Sequence, residues 1–461
     1  MASSDAAQSL RHGRFGDEWR GLLPMAPNPG AARTADVRVS SQRVVSQEGQ
    51  ASVEQVVTSN GTWTWFNDPR AVYDAATDTL FYGVIRDGGV VSFHSANLTT
   101  GTTQQGTPRT LVFQDDDHAN PALCLLASGK ILGAYSQRIG DSFSARTANT
   151  LDIRTWEAPV ALASGTVNDA YAQLHQMGDT DETVYWIFRR FETGAPPNER
   201  TIKIRTSTND GSTWGDAFNL LFESGNLPYV ITAKNGANRI DFVVTNGHPS
   251  DAGVVGSVYH FYLVVASDGS REYFRSDGTS IGDDTVLPLS ISDLTQVYNG
   301  STNEAWIWDI AIIGGSPVIA LNTFESSDTV HKYLQARWNG SAWQVDEIAS
   351  GGTTATADYL YAPETKYSAG IALDPNNVNV VFLSREYGAR NFRLEKWAHT
   401  GTWPSGTWAK AADISGNTGS VNARPYSPRG LSPTRVLWWE GTYNSYADFS
   451  TRVRLHPAVH Q

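Results

Sequence analysis

The run Asp115-Asp116-Asp117-His118-Ala119-Asn120 sets an imidazole directly after three carboxylates, ahead of the apolar stretch Pro121-Ala122-Leu123. A carboxylate bonded to one ring nitrogen orients a histidine and raises its basicity, which suits His118 to proton transfer. The bland use of the same residues is a loop histidine bonded to the acidic run for shape. A histidine in an acidic loop leading into a strand stands where sites form on rigid scaffolds, and this favours the functional use. Asn120, in the same loop, joins the ligand-facing candidates. Two further histidines, His248 in the turn Asn246-Gly247-His248-Pro249 and His260 on the strand beyond it, could pack, contact a ligand or share a structural metal ion. Two histidines alone fall short of the four ligands zinc prefers, so no metal site is assigned and no cofactor is expected.

Arg70, Arg190, Arg385 and Arg424 each lie near the end of an apolar stretch, where a guanidinium could reach a central face. Any one of them is as readily a solvated charge. Arg190 and Arg424 are the stronger candidates because Phe188, Phe191 and Tyr426 stand beside them. Trp65, Tyr229, Tyr361 and Tyr426 could lay their rings against the apolar C–H faces of sugars, although most of the 15 tryptophans suit a core.

The elements that must position these groups are repeats of one unit: an apolar strand, a tight turn with Gly, Asn or Asp, and a second apolar strand. The unit is clearest from Ala122-Leu123-Cys124-Leu125 through Ser128-Gly129 into Ile131-Leu132-Gly133-Ala134-Tyr135. It returns near Arg70, from Val230 to Val244, from Ile310 to Ala320 and from Gly370 to Leu383, with weaker copies at Tyr171 to Phe188 and Ala423 to Trp439. About seven copies, spaced for blades of four strands, predict an all-β chain folded as a seven-bladed β-propeller. The 41 glycines, 15 tryptophans and 18 tyrosines agree with many short strands and turns. Ser207-Thr208-Asn209-Asp210-Gly211-Ser212-Thr213-Trp214 reads as a hairpin turn whose side chains bond back to the backbone and whose tryptophan plugs between sheets. Looser versions are expected at Asp152 to Trp156, Trp338 to Trp343 and Ser405 to Trp408.

A formal net charge of -12 over 461 residues argues against nucleic acid or an anionic membrane as partner. The single Cys124 sits in an apolar run, which predicts a buried thiol. No apolar run is long enough for a membrane-spanning helix. Residues 1–55 are polar and carry the proline-rich run Leu23-Pro24-Met25-Ala26-Pro27-Asn28-Pro29, so they are expected to form an extended, more often disordered arm ahead of a propeller over 56–461. The start lacks the basic and apolar regions of a secretory signal, and an extracellular role then implies another route, such as assembly into a virion released by lysis.

The pieces Trp65-Phe66-Asn67-Asp68-Pro69-Arg70, Asp116-Asp117-His118-Ala119-Asn120-Pro121, Thr245-Asn246-Gly247-His248-Pro249 and Ala423-Arg424-Pro425-Tyr426, with the Asp-box pattern at 207–214, resemble the BNR-repeat, sialidase-like propellers. That family includes ulvan lyases and phage-encoded relatives. The resemblance spans roughly residues 60–455. It implies a glycan groove where the loops leading into the blades converge, with His118 and Tyr171 in proton transfer and Arg190 facing a uronate carboxylate. Lyases of this kind tend to carry a second histidine where this chain has Tyr135-Ser136-Gln137-Arg138.

Eliminative cleavage of a uronate polymer needs a base for the proton beside the carboxylate, positive charge for the resulting dianion, and an acid for the departing oxygen. His118 with Tyr171 or Tyr229, and Arg190 or Arg138, would supply these. Arg70, Asn120, Arg138, His248, Arg424 and Tyr426 are expected to bind substrate. The chain is thus expected to act on, or bind, an acidic polysaccharide outside the cell. The alternative from another class is a non-catalytic phage spike or fibre, a virion protein that recognises a host surface glycan and joins other virion proteins through residues 1–55. A sialidase is disfavoured, because no Tyr–Glu pair can be placed.

Overall fold

The computed structural model describes residues 18–24, 34–40, 54–108, 112–137, 140–163, 168–191, 200–249, 255–325, 328–353, 358–360, 364–388 and 390–456. Two units divide the chain, Met1–Val53 and Glu54–Gln461. In the first, strands Glu18–Pro24 and Thr34–Ser40 pair antiparallel.

The second unit is an all-β propeller. Its described residues include five separate antiparallel blades, which begin with the strands Ala71–Asp74, Ala122–Leu125, Asn168–Gln176, Tyr229–Asn235 and Ala305–Ile313 and hold four, five, four, six and four strands. The remaining strands form one eight-stranded sheet. The expectation of seven separate blades is therefore corrected. Two antiparallel runs, one from Ile371–Leu373 to Thr407–Asp413 and one from Val421–Tyr426 to Asp448–His456, are joined by a single parallel pairing of Phe392 with Val421. Such a junction between units leaves no trace in a repeat pattern. The strand Gln55–Thr58 completes this sheet by pairing with Asp448–His456, so the two ends of the unit are held together by backbone hydrogen bonds.

Sheets covered on both faces call for strands with nearly continuous apolar sequence. Ala305–Ile313 reads AWIWDIAII with seven of its nine residues buried, and Thr79–Arg86 reads TLFYGVIR with six of eight buried. Each fully buried Val, Leu, Ile or Phe contributes roughly 1.5–3 kcal/mol relative to exposure. The box at 207–214 folds as its sequence predicts. Ser207 Oγ accepts from the Gly211 amide at 2.9 Å, Asn209 Oδ1 accepts from the Thr213 amide at 2.9 Å, and Gly211 takes φ +75°. Trp214 Nε1 donates to Ser144 Oγ in the preceding blade at 2.9 Å. Trp343 and Trp408 repeat this reach, to Ser276 Oγ and Asp346 Oδ2 in the sheet before theirs. Trp156 instead turns back to the Ile153 carbonyl.

The first strand of each blade packs beside the first strand of the next around a common axis. Residues 63–70 enter this axis. Trp65 stacks on Trp308 at 4.0 Å, and Phe66 lies against Tyr171, Tyr229 and Trp306. The Asp68 amide donates to the Ala172 carbonyl at 2.9 Å, which continues the segment along an inner strand.

Candidate functional site

The acidic loop becomes a single 3-10 turn, Asp117–Ala119, with Asp116 as its cap: Asp116 Oδ1 accepts from the His118 amide at 2.9 Å. Residues 64–67 pin the turn from the axis side. The Thr64 amide donates to Asn120 Oδ1 at 2.9 Å, and Asn67 Nδ2 donates to the His118 carbonyl at 2.9 Å and to Asn120 Oδ1 at 3.1 Å.

His118 Nδ1 lies 2.5 Å from Asp116 Oδ1 and 3.0 Å from Asp117 Oδ1. Asp115 is exposed and outside this contact. Burial disfavours the charged ring, yet the two carboxylates outweigh it and hold the His118 pKa above its ordinary value. Asp117 Oδ2 in turn accepts from Arg424 Nη1 and from the Tyr443 hydroxyl, each at 2.5 Å. Burial alone would raise the Asp117 carboxyl, but Arg424 and His118 hold it well below the usual carboxylate range.

Tyr171 stands beside this group, its ring centre 5.7 Å from that of His118. It sits at a bulge in the strand Asn168–Gln176, where the register slips between Ala170 and Gln173. Its φ is +62°, a left-handed conformation that costs a bulky residue of order 1–3 kcal/mol and persists only where the surroundings fix it. The Ala172 amide, donating to Asn67 Oδ1 at 2.7 Å, is one such fixture. Tyr229, the first residue of the next blade, lies 5.5 Å from Tyr171 between ring centres. Arg189 spans both, 4.4 Å above the Tyr171 ring and 4.2 Å above the Tyr229 ring. His248 extends the row at 5.8 Å from Tyr229 and 4.8 Å from Trp306.

The structure thus brings His118, Tyr171, Tyr229 and His248 together at the ends of the inner strands where the chain enters each blade. Arg190 is directed elsewhere: its Nε and Nη2 donate to Asp169 at 2.6 and 2.9 Å, and Arg189 takes the place beside the tyrosines. Strand neighbours face opposite ways, and with arginine at both positions the sequence could not say which faces the axis. Arg424 is wholly buried on Asp117 and Tyr443, so it supports the site from behind where substrate contact was expected. Asn120 is buried as an acceptor that shapes the turn. Arg70 and Tyr426 pack on each other at 4.4 Å toward the other end of the axis, with Arg70 Nε on Asp68 at 3.3 Å. His260 is buried on Asp241 and Ser276 at 3.0 and 2.9 Å inside its own sheet, far in role from His248. Arg138 and Tyr361 lie outside the described residues. Sequence reasoning also missed Tyr443 and Tyr446, which come from the far end of the chain with no local motif. Tyr446 packs edge-on to His118 at 5.4 Å, and its carbonyl accepts from the Asp117 amide at 2.7 Å.

Among the described residues, Asp116, Asp117 and His118 are the group whose ligand atoms lie close enough to hold a metal ion. Their charge is already met: the His118 ring nitrogen lies against both carboxylates, and Arg424 closes Asp117. The donor set fits an ion-paired histidine better than a cation site.

The opposite end of the axis opens into a cavity of about 710 Å³, with Val72, Leu125, Met177, Ala233 and Ile312 among its walls and Lys234 and Arg429 at its polar edge. Arg429 is bound to Asp309 at 2.5 Å. Burial pushes the Asp68 carboxyl there up to about 6 against the pull of Arg70 and Arg429. No helix among the described residues is long and apolar enough to cross a membrane.

Fold and site together define a β-propeller with an ion-paired histidine, two tyrosines and an arginine gathered at one end of its axis. Residues 79–350 match the BNR repeat-containing family, and the chain belongs to it. Among solved structures it is similar to a family PL25 polysaccharide lyase, an ulvan lyase bound to -[GlcA(1-4)Rha3S]-, with 15% identity over 87% of this chain and 95% of that one and a TM-score of 0.67. It is also similar to the polysaccharide lyase Uly1, with 10% identity over 87% of this chain and 97% of that one and a TM-score of 0.53. No curated protein matches the chain.

Proposed function

We propose that this propeller acts on an acidic, uronate-bearing polysaccharide outside the cell, and that it cleaves by elimination. The observation that carries the reading is Arg189 lying over both Tyr171 and Tyr229 beside His118. A uronate carboxylate placed against Arg189 would have its charge met as the adjacent carbon loses its proton. Tyr171, as its phenolate, takes that proton and becomes the neutral phenol. The C–H electron pair forms a carbon–carbon double bond as the glycosidic C–O bond on the next carbon breaks, and the departing oxygen receives a proton. His118, whose pKa is held up by two carboxylates, is better suited to give that proton than to remove the first one. The fold shared with two polysaccharide lyases supports this reading.

Incubation with a panel of glucuronate-containing polysaccharides, followed by ultraviolet absorbance of the new unsaturated uronate ends, tests it. Growth of that absorbance is expected for at least one polymer. Glycan binding without any such growth across the panel would reduce the protein to a glycan-binding propeller. Attachment of residues 1–55 to a virion is a separate proposal, motivated by their polar, proline-rich sequence ahead of the repeats. Deletion of residues 1–53 should then abolish incorporation into particles, and incorporation that survives deletion refutes it.

A further inference from the structure

The last strands of the propeller reach the proposed acid. Arg424 ends no surface loop; it is wholly buried, with Nη1 on Asp117 Oδ2 at 2.5 Å and on the Trp63 carbonyl at 2.7 Å, and Nη2 on the Tyr443 hydroxyl at 2.8 Å. Trp63 Nε1 returns a bond to the Arg424 carbonyl at 3.0 Å. Tyr443 also donates to Asp117 Oδ2 at 2.5 Å. The other oxygen of the same carboxylate, Oδ1, lies 3.0 Å from His118 Nδ1. Arg424 holds φ +51° at a register slip between Ala423 and Tyr426, the same device that turns Tyr171. Arg424 is thus held in a costly backbone conformation and joined to the His118 ring through one carboxylate.

We propose that Asp117 is a positioning residue for His118, itself held by Arg424 and Tyr443, so that closure of the propeller sets the direction of the imidazole. With Nδ1 held between Asp116 and Asp117, Nε2 is the nitrogen left for proton exchange with substrate. The groups that face His118 are Asp116 and Asp117 from its own turn, Tyr171 from the third blade and Tyr446 from the last strands; Arg424 and Tyr443 act through Asp117. This inference rests on the elimination reading for its kinetic consequences and on geometry alone for the state of the ring.

The test compares Asp117→Asn and Tyr443→Phe with the parent protein. Imidazole titrations are followed by NMR on histidine-labelled full chain, with His118→Asn identifying the signal. Loss of the Asp117 charge should lower the His118 pKa. Loss of the Tyr443 hydroxyl leaves the Asp117 charge less satisfied, and should raise it. Where elimination activity is measured, Asp117→Asn should lower kcat by about tenfold or more with KM little changed, and the high-pH limb should move in the same sense as the titration. If Asp117→Asn fails to fold, Tyr443→Phe alone decides, because it removes one hydrogen bond from an otherwise intact ion pair. A His118 titration unchanged in the folded variants overturns the proposal. The titration needs no substrate, so absence of lyase activity in the parent would refute the elimination reading and leave this inference to be judged by NMR.

Discussion

At the end of the axis where the chain enters its blades, Arg189 lies over two tyrosines beside an ion-paired histidine; at the other end, Arg70 and Arg429 are closed onto Asp68 and Asp309 around Tyr426. Both ends hold arginine on tyrosine, and both are served by the same inner strands. Trp65 and Phe66 lie between them. The difference is in what the cations face. Side-chain carboxylates answer the guanidinium charge at the far end, and the cavity there is walled largely by aliphatic residues. At the near end Arg189 lies against two aromatic faces, beside a carboxylate already taken by Arg424. Residue type alone therefore does not mark the site; the partner of each charge does.

The comparison predicts unequal responses to substitution. The largest is expected at the near end, where Tyr171→Phe should lower the rate of uronate elimination by about 10²–10⁴-fold, the usual contribution of a positioned acid or base, without loss of fold. Circular dichroism and the unsaturated-end assay on one preparation check this. Next comes Asp117→Ala, which strands Arg424 as a buried charge and should destabilise the protein by about 3–5 kcal/mol in denaturant unfolding. An effect under 1 kcal/mol would mean that water reaches Arg424.

At the far end the expected signature is pH dependence. The Asp68 carboxyl titrates near 6 when folded, above its unfolded value, so the native state binds the proton more tightly. Stability from this group is present below about pH 4 and is lost as pH rises toward about 6, on the order of 2–3 kcal/mol. Asp68→Asn should flatten that window, and an unaltered stability profile would show that Arg70 and Arg429 already neutralise the carboxylate. The smallest effect belongs to neither end. Trp214→Phe removes one N–H bond between neighbouring blades and should cost about 1 kcal/mol with activity unchanged.

What could be read along the chain was whatever depends on local pattern. Continuous apolar strands, turn residues and the box at 207–214 fixed the class of fold, because strand burial and hairpin geometry are set within a few residues of one another. The acidic run before His118 likewise showed which imidazole would be paired, since Asp116 and Asp117 are its immediate neighbours. Other features required the folded chain. Whether Arg189 or Arg190 turns inward depends on strand parity opposite Asp169, and the bulge at Tyr171 is held by Asn67, about a hundred positions away. Arg424 looks like a surface ligand in sequence and becomes a buried support only when the last strands meet Asp117. The joining of two runs into one eight-stranded sheet rests on a single parallel pair. Sequence by itself determined which elements form and which histidine carries an acid pair, because those are short-range matters of hydrophobic pattern and adjacent charge. Tertiary structure alone decided which partner each cation takes and which cations face the axis, because a charge is answered by whatever packs against it, and that partner comes from anywhere in the chain.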